Sequence, residues 1–201
     1  RQHPFPEWAQ RSMLMAAYAQ YRSKDYAEAV ASSESYLALH PGGEGAAYAY
    51  YLIGISHFDQ ILDVGREQSR SELALAALSE VVRRYPTSEY ARDASLKVDM
   101  VRDQLAGKEM EIGRFYLRRS NYLAAINRFK RVVDEFQTTT HAPEAMHRLV
   151  EAYISIGLYG EAQSIAAVLG YNYPGSKWYQ DSYRLMTSRD IPIMEYARNA
   201  E

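Results

Sequence analysis

The sequence predicts an all-α fold: a tetratricopeptide-repeat α-solenoid of four helix pairs plus a C-terminal capping helix. Three observations carry this expectation. Prolines recur with fixed neighbours, alanines recur at a fixed distance before them, and alanine and tyrosine dominate the composition. Pro4, Pro86 and Pro174 are each followed four residues later by an aromatic, at Trp8, Tyr90 and Trp178. His40, Tyr85 and Tyr173 immediately precede Pro41, Pro86 and Pro174. Ala29, Ala74 and Ala162 lie twelve residues before those same prolines. A fourth copy centres on Ala125, with Gln137 where the proline would stand. The 27 alanines favour helix and close packing. The 18 tyrosines each add a large apolar body with a polar tip.

Repetition at this scale reads as stacked helix–turn–helix units. A small or apolar residue lies twelve before the alanine in three copies, at Ala17, Gly113 and Val150. In the second copy Gly54 lies twenty before Ala74, which marks an eight-residue insertion. The small residue on the first helix lets the second approach, and the alanine receives it. Tyr26, Tyr122 and Tyr159, three before their alanines, pack over the turn. Proline then stops the second helix, because the residue before it resists the α region.

The first pair is expected at about 7–22 with 26–39, and the second at 45–61 with 71–84. The third is expected at 88–118 with 121–136, and the fourth at 142–156 with 159–171. A capping helix follows at 176–186, with Trp178, Tyr183 and Leu185 covering the last pair. The repeats thus run 7–41, 45–86, 88–137 and 142–174 within an array spanning 1–186, and residues 187–201 are a loosely held tail. In the second pair, 63–70 is a polar loop and Ser71 with Glu72 starts the next helix. The first helix of the third pair keeps one apolar stripe through Ala91, Ala94, Val98, Val101, Leu105, Ile112 and Tyr116. Gly107 is expected to kink or break it. Pro4 stands where a repeat should finish, so the array is expected to begin mid-repeat, with an N-terminal portion cut away or lost.

Composition narrows the function. Lys plus Arg total 23 against 25 for Asp plus Glu, a net charge of −2. That balance argues against a dedicated nucleic-acid binder. No apolar run approaches the ~18 residues that cross a bilayer. With no cysteine there is no disulfide, thiolate zinc site or cysteine nucleophile. None of the histidines forms a helix-borne zinc pair. His57 and Asp59 point to different sides of a helix, and His141 and His147 are expected to be solvated or partly packed. The run Gln137 to His141 reads as a turn with a threonine helix cap. No serine-nucleophile elbow, Walker loop or dinucleotide glycine motif occurs. No enzyme, metal or cofactor is expected.

A binding surface remains. First helices of such arrays line a concave face. The residues on that face are Arg11, Leu14, Tyr18, Tyr21 and Arg22, then Tyr48, Tyr51, Ile55 and Phe58. They would form a groove suited to an extended peptide bearing aromatics, since Tyr and Arg are common anchors. The alternative is that the tyrosines only seal helix contacts. A basic cluster, Arg118, Arg119, Arg128, Lys130 and Arg131, is either a solvated face or an ion-pairing interface with an acidic partner.

Several strings carry a family resemblance. They include Gln2-His3-Pro4-Phe5, Glu7-Trp8-Ala9, Met15-Ala16-Ala17-Tyr18 and Tyr48-Ala49-Tyr50-Tyr51-Leu52. Further strings are Arg84-Tyr85-Pro86, Glu89-Tyr90-Ala91-Arg92-Asp93-Ala94 and Leu105-Ala106-Gly107-Lys108-Glu109. The most specific are Tyr116-Leu117-Arg118-Arg119, Ala124-Ala125-Ile126-Asn127-Arg128-Phe129 and Leu169-Gly170-Tyr171-Asn172-Tyr173-Pro174. Over roughly 1–186 the chain resembles the BamD family of outer-membrane β-barrel assembly lipoproteins, in an alphaproteobacterial-like version. The resemblance implies a five-repeat protein lipid-anchored to the periplasmic face of the outer membrane. It also implies that most of repeat one, the lipidated cysteine and the signal peptide are missing here. It further implies a scaffold without catalysis, working with other assembly-complex lipoproteins. Its C-terminal repeats would dock to a POTRA domain of BamA, and its N-terminal repeats would receive C-terminal targeting strands of unfolded outer-membrane proteins. Asn127-Arg128 matches a family interface position. An alternative is another periplasmic repeat adaptor, such as a CpoB-type cell-division coordinator. The insertion at 59–72 and the long helix of the third pair argue against it.

Overall fold

A computed structural model describes residues 5–61 and 68–192. The described residues form helices and no strand. In order these are α1 (Phe5–Arg22), α2 (Tyr26–Leu39), α3 (Ala46–Phe58), α4 (Gln68–Arg84), α5 (Ala91–Arg118), α6 (Tyr122–Glu135), α7 (Ala142–Ser155), α8 (Tyr159–Asn172) and α9 (Lys177–Thr187). The fold is the expected all-α, tetratricopeptide-like array of helix pairs. The chain divides into two compact units, Arg1–Leu105 and Ala106–Glu201. In the first, α1 packs on α2, α2 on α3 and α3 on α4. In the second, α6 packs on α7, α7 on α8, and α9 on both α7 and α8.

The positions found by spacing lie in the buried interior. Ala17, Ala29, Ala74, Ala125, Val150 and Ala162 are all wholly buried. At Gly54 a Cβ would lie 2.6 Å from Leu78 Cδ2, and at Gly113 it would strike the Phe129 ring. Around these contacts the first unit gathers Leu52, Ile55, Leu78, Val81 and Ala94 into one core. Met110, Phe129, Val132, Leu149 and Leu169 are wholly buried in the second.

Three of the turns inside pairs share one closure. Lys24, Ser120 and Gly157 take positive φ of 65°, 58° and 79°, each two residues before the tyrosine that opens the next helix. In the first, Asp25 N–H donates to Gln20 O and Lys24 N–H to Tyr21 O. Asn121 and Ser120 repeat this with Tyr116 and Leu117, as do Leu158 and Gly157 with Tyr153 and Ile154. This is the Schellman closure, which satisfies the last carbonyls of a helix and reverses the chain. The turn of the second pair lies in residues 62–67, outside the described residues.

The turns after second helices also repeat. His40, Tyr85, Phe136 and Tyr173 donate their N–H to the carbonyls of Tyr36, Val81, Val132 and Leu169. Three residues on, Gly43, Ser88, Thr139 and Ser176 donate back to those four. The turn at Gln137 therefore closes without proline. Phe136 is buried and the Thr139 hydroxyl adds a bond to its carbonyl.

Several expectations are corrected. Helix α4 begins at Gln68, before Ser71, which is buried inside its first turn. Helix α5 runs unbroken through Gly107. Glycine costs a helix about 1 kcal/mol but leaves the backbone ladder intact, and the His141 ring fills the space a Cβ would take. The N-cap of α7 is His141 without a side-chain cap bond, while Thr139 serves the preceding turn. Tyr183 is 49% exposed, and the buried residues of α9 are Ser182 and Met186. Residues 188–192 are held rather than loose. Asp190 and Ile191 form another Schellman closure, Ile191 is buried, and Gln163 Nε2 donates to Pro192 O. The proposed start at Pro4 and the tail from 193 onward lie outside the described residues.

Helix α9 docks on α7 through a buried imidazole. His147 Nδ1 lies 2.8 Å from Ser182 Oγ, and its ring centre is 5.5 Å from that of Trp178. Arg148 and Lys177 also sit over Trp178. Burial holds the His147 pKa below its ordinary value. The Glu151 carboxylate opposes that shift and Arg148 reinforces it. Glu144 of α7 and Asp181 of α9 also face the ring and raise its pKa.

Two outcomes are expected. Gly113→Ala forces Phe129 to move and should destabilise the chain by roughly 1–3 kcal/mol in urea denaturation; an unchanged midpoint would remove Gly113 as a contact point. The depressed His147 pKa means the unfolded chain gains a proton near pH ~6.5 while the folded chain resists. The stability it contributes is complete above that pH and lost as pH falls through the folded value. The Tm should therefore drop more between about pH 7.5 and about pH 5 than it does in His147→Gln. Parallel curves would show that His147 contributes nothing.

Candidate functional site

In the first unit the first helices of two successive pairs, α1 and α3, line an open cavity of about 500 Å³. Tyr18, Tyr21 and Arg22 line it from α1, and Tyr48, Tyr51 and Ile55 from α3. Lys24, Tyr26, Leu52 and Asp59 complete the wall. Six of the nine expected groove residues thus come together. Arg11 is exposed and lines no part of the cavity. Phe58 lies outside it, beneath Lys97, whose Nζ is 5.5 Å from the ring centre. Leu14 sits instead against Gly45.

Carboxylates hold the tyrosines in place. Tyr21 donates to Asp59 Oδ2 and Tyr51 to Asp93 Oδ2, each at 2.6 Å. Lys97 Nζ donates to both oxygens of Asp93 at 2.8 and 2.7 Å. Burial pushes the Asp93 carboxyl up, but the Lys97 and Tyr51 hydrogen bonds outweigh it and leave its pKa below the usual range. Arg22 Nη1 donates to Tyr18 Oη at 2.9 Å. Tyr90 stacks on Tyr51 and lies against Tyr48, both at 5.1 Å. Burial, then the bonds to Asp59 and Asp93, raise Tyr21 and Tyr51 well above an ordinary phenol. Burial, then Glu89, pushes Tyr90 up to about 12. All three stay protonated at neutral pH. A hydroxyl that donates to a carboxylate still offers its oxygen as an acceptor. The cavity therefore presents ring faces, acceptor oxygens and, at one side, the cations Arg22 and Lys24. Asp59 and Asp93 were not among the expected groove residues. Their signal is a separation of 38 and 42 residues from their tyrosines, close to one repeat.

The basic cluster of the second unit separates into two groups. Arg128 Nη1 and Arg131 Nη1 both reach Glu109, at 3.1 and 2.8 Å, and Glu109 is wholly buried. Arg131 also pairs with Glu135. These two guanidiniums hold a buried carboxylate rather than standing as a bare surface charge. Asn127, Arg118 and Arg119 are exposed. Arg119 lies 4.3 Å over the Phe115 ring.

Among the described residues no group of three or more His, Asp or Glu is placed to hold a metal ion. Ser182, His147 and Glu151 align as hydroxyl, imidazole and carboxylate, with Glu151 3.7 Å from His147 Nε2. Ser182 is wholly buried, however, so no substrate reaches its hydroxyl. No helix among the described residues is long and apolar enough to cross a membrane.

Removing both guanidiniums should expose the strain at Glu109. Arg128→Ala with Arg131→Ala should cost about 3 kcal/mol in a urea melt, and adding Glu109→Gln to that pair should restore much of it. If the triple variant is no more stable than the double, Glu109 is not the group those arginines serve.

Comparison with known sequences agrees with this architecture. The YfiO family, described as an outer membrane lipoprotein, matches residues 1–169. An outer membrane protein assembly factor BamD from Caulobacter vibrioides is 56% identical over 196 residues, covering 97% of this chain and 64% of the relative. The BamD of Rickettsia prowazekii is 49% identical over 185 residues, covering 92% and 74%. That of Neisseria meningitidis serogroup B is 30% identical over 203 residues, covering 96% and 75%. The chain spans just under two thirds of the Caulobacter protein. Its helix-pair array and these matches together establish that the chain belongs to the BamD (YfiO) family of outer membrane lipoproteins.

Proposed function

We propose that the chain is a non-enzymatic scaffold of outer-membrane β-barrel assembly. It works at the periplasmic face of the outer membrane, where members of its family are held by a lipid anchor. Its relatives' name, outer membrane protein assembly factor, supports that setting. The tyrosine cavity carries the mechanism. Helix α1 and helix α3 supply ring faces at a fixed spacing, and their bonds to Asp59 and Asp93 keep those faces from collapsing inward. Such a surface suits an extended, aromatic-bearing strand, because stacking on tyrosine tolerates varied neighbours. C-terminal targeting strands of unfolded outer-membrane proteins have that chemistry. The second unit docks to a POTRA domain of BamA through the face bearing Asn127 and the surrounding cations, and other assembly lipoproteins join the same complex.

Tyr18→Ala with Tyr51→Ala should reduce cross-linking to a barrel-protein C-terminal peptide roughly tenfold or more. Tyr51→Phe keeps the ring and should lose far less. Undiminished cross-linking in the double alanine variant would mean that these tyrosines only seal helix contacts.

A further inference from the structure

From Ile112 through Val133 the chain has six cations and no Asp or Glu. Three of the six are neutralised from elsewhere in the second unit. Arg114 pairs with Glu144, and Arg128 and Arg131 pair with Glu109. Arg118, Arg119 and Lys130 make no ion pair among the described residues. Two of these, Arg118 and Arg119, stand at the α5–α6 turn. That turn also exposes apolar side chains: Phe115 is 41% exposed beneath Arg119, and Leu123 is 68% exposed.

The topology adds a neighbour. Glu109 meets Arg131 while Gly113 meets Phe129, so α5 and α6 run antiparallel. Short turns join α6 to α7 and α7 to α8, and each of those pairs is packed together. The α5–α6 and α7–α8 turns therefore lie at the same end of this unit. The second turn exposes Leu158 and Tyr159 as well. Aromatic and aliphatic anchors rimmed by arginine are the usual make-up of an interface.

We infer that this turn end is a docking surface centred on Phe115 and Leu123, with Arg118 and Arg119 at its rim, and that its occupant is a protein face with an apolar centre bordered by carboxylates. The inference deepens the docking reading proposed above and rests on it. It moves the anchor away from Arg128 and Arg131, whose charges are already engaged by Glu109. Positive potential at the rim selects and steers the acidic partner, and the apolar centre holds it.

The test uses calorimetric titration of the purified chain with the soluble POTRA array of the barrel-forming subunit from the same organism. Leu123→Ser with Arg119→Glu should weaken binding at least about tenfold, with a melting curve matching the unsubstituted chain. Because Leu123 is mostly exposed, Leu123→Ser alone keeps the test valid should the double variant melt early, and it should still weaken binding several-fold. Higher salt should weaken the unsubstituted chain more than Arg118→Ala with Arg119→Ala. If the unsubstituted chain binds and the Leu123 variants bind equally well, the inference is overturned while the docking reading stands. If the unsubstituted chain does not bind the POTRA array, both fall.

Discussion

How near the second helix of a pair can come to the first governs each unit. Where the first helix carries Gly113, the Phe129 ring lies where a Cβ would be. That approach brings the rest of α6 with it. Arg128 and Arg131 flank Phe129 on α6, and Glu109 lies one turn before Gly113 on α5. The carboxylate is thus drawn into the contact and wholly buried. A lone buried carboxylate is costly, and two guanidiniums answering it make the burial tolerable. The same logic operates at Gly54, which admits Leu78, but there the neighbours are apolar and the contact forms part of the core. One geometric requirement therefore yields a hydrophobic core in one pair and a buried ion cluster in another, according to the residue one turn away.

The periodic features are legible in the sequence because they follow the backbone. Ala29, Ala74, Ala125 and Ala162 mark the contact positions by spacing alone, and each is wholly buried. The tyrosines at Tyr26, Tyr122 and Tyr159 mark the start of second helices, where a left-handed residue two positions earlier reverses the chain. Long side chains were less legible. Arg128 looked like a surface cation because nothing in its own helix contradicts that reading. Its direction depends on Glu109, nineteen residues earlier and on a different helix. Tyr21 and Tyr51 line one cavity, but their fixed orientation comes from Asp59 and Asp93 about one repeat away.

Tyr21 and Tyr51 also show how a repeat can hold ring faces in a fixed orientation. Each hydroxyl proton is committed to a carboxylate of a neighbouring element, and burial keeps it from ionising. A tyrosine so held cannot act as an acid or base near neutral pH. It can hold a ring face at a set angle. Pre-ordering of this kind lowers the entropy lost when a flexible segment binds, which is where much of the affinity for extended chains is otherwise lost.

Net charge conceals what matters for the second unit. A total of −2 suggests an unremarkable surface, yet the stretch from 112 to 133 is strongly basic. Potential at a surface depends on local pairing rather than on the sum. Glu109 and Glu144 neutralise three of the six cations from helices α5 and α7. Of what remains, Arg118 and Arg119 stand at the α5–α6 turn, which also exposes Phe115 and Leu123. A partner covering Phe115 and Leu123 would remove apolar surface from water and, with carboxylates at its edge, would meet Arg118 and Arg119 without stranding a buried charge of its own. The internal pairing at Glu109 thereby determines which arginines are available to a partner.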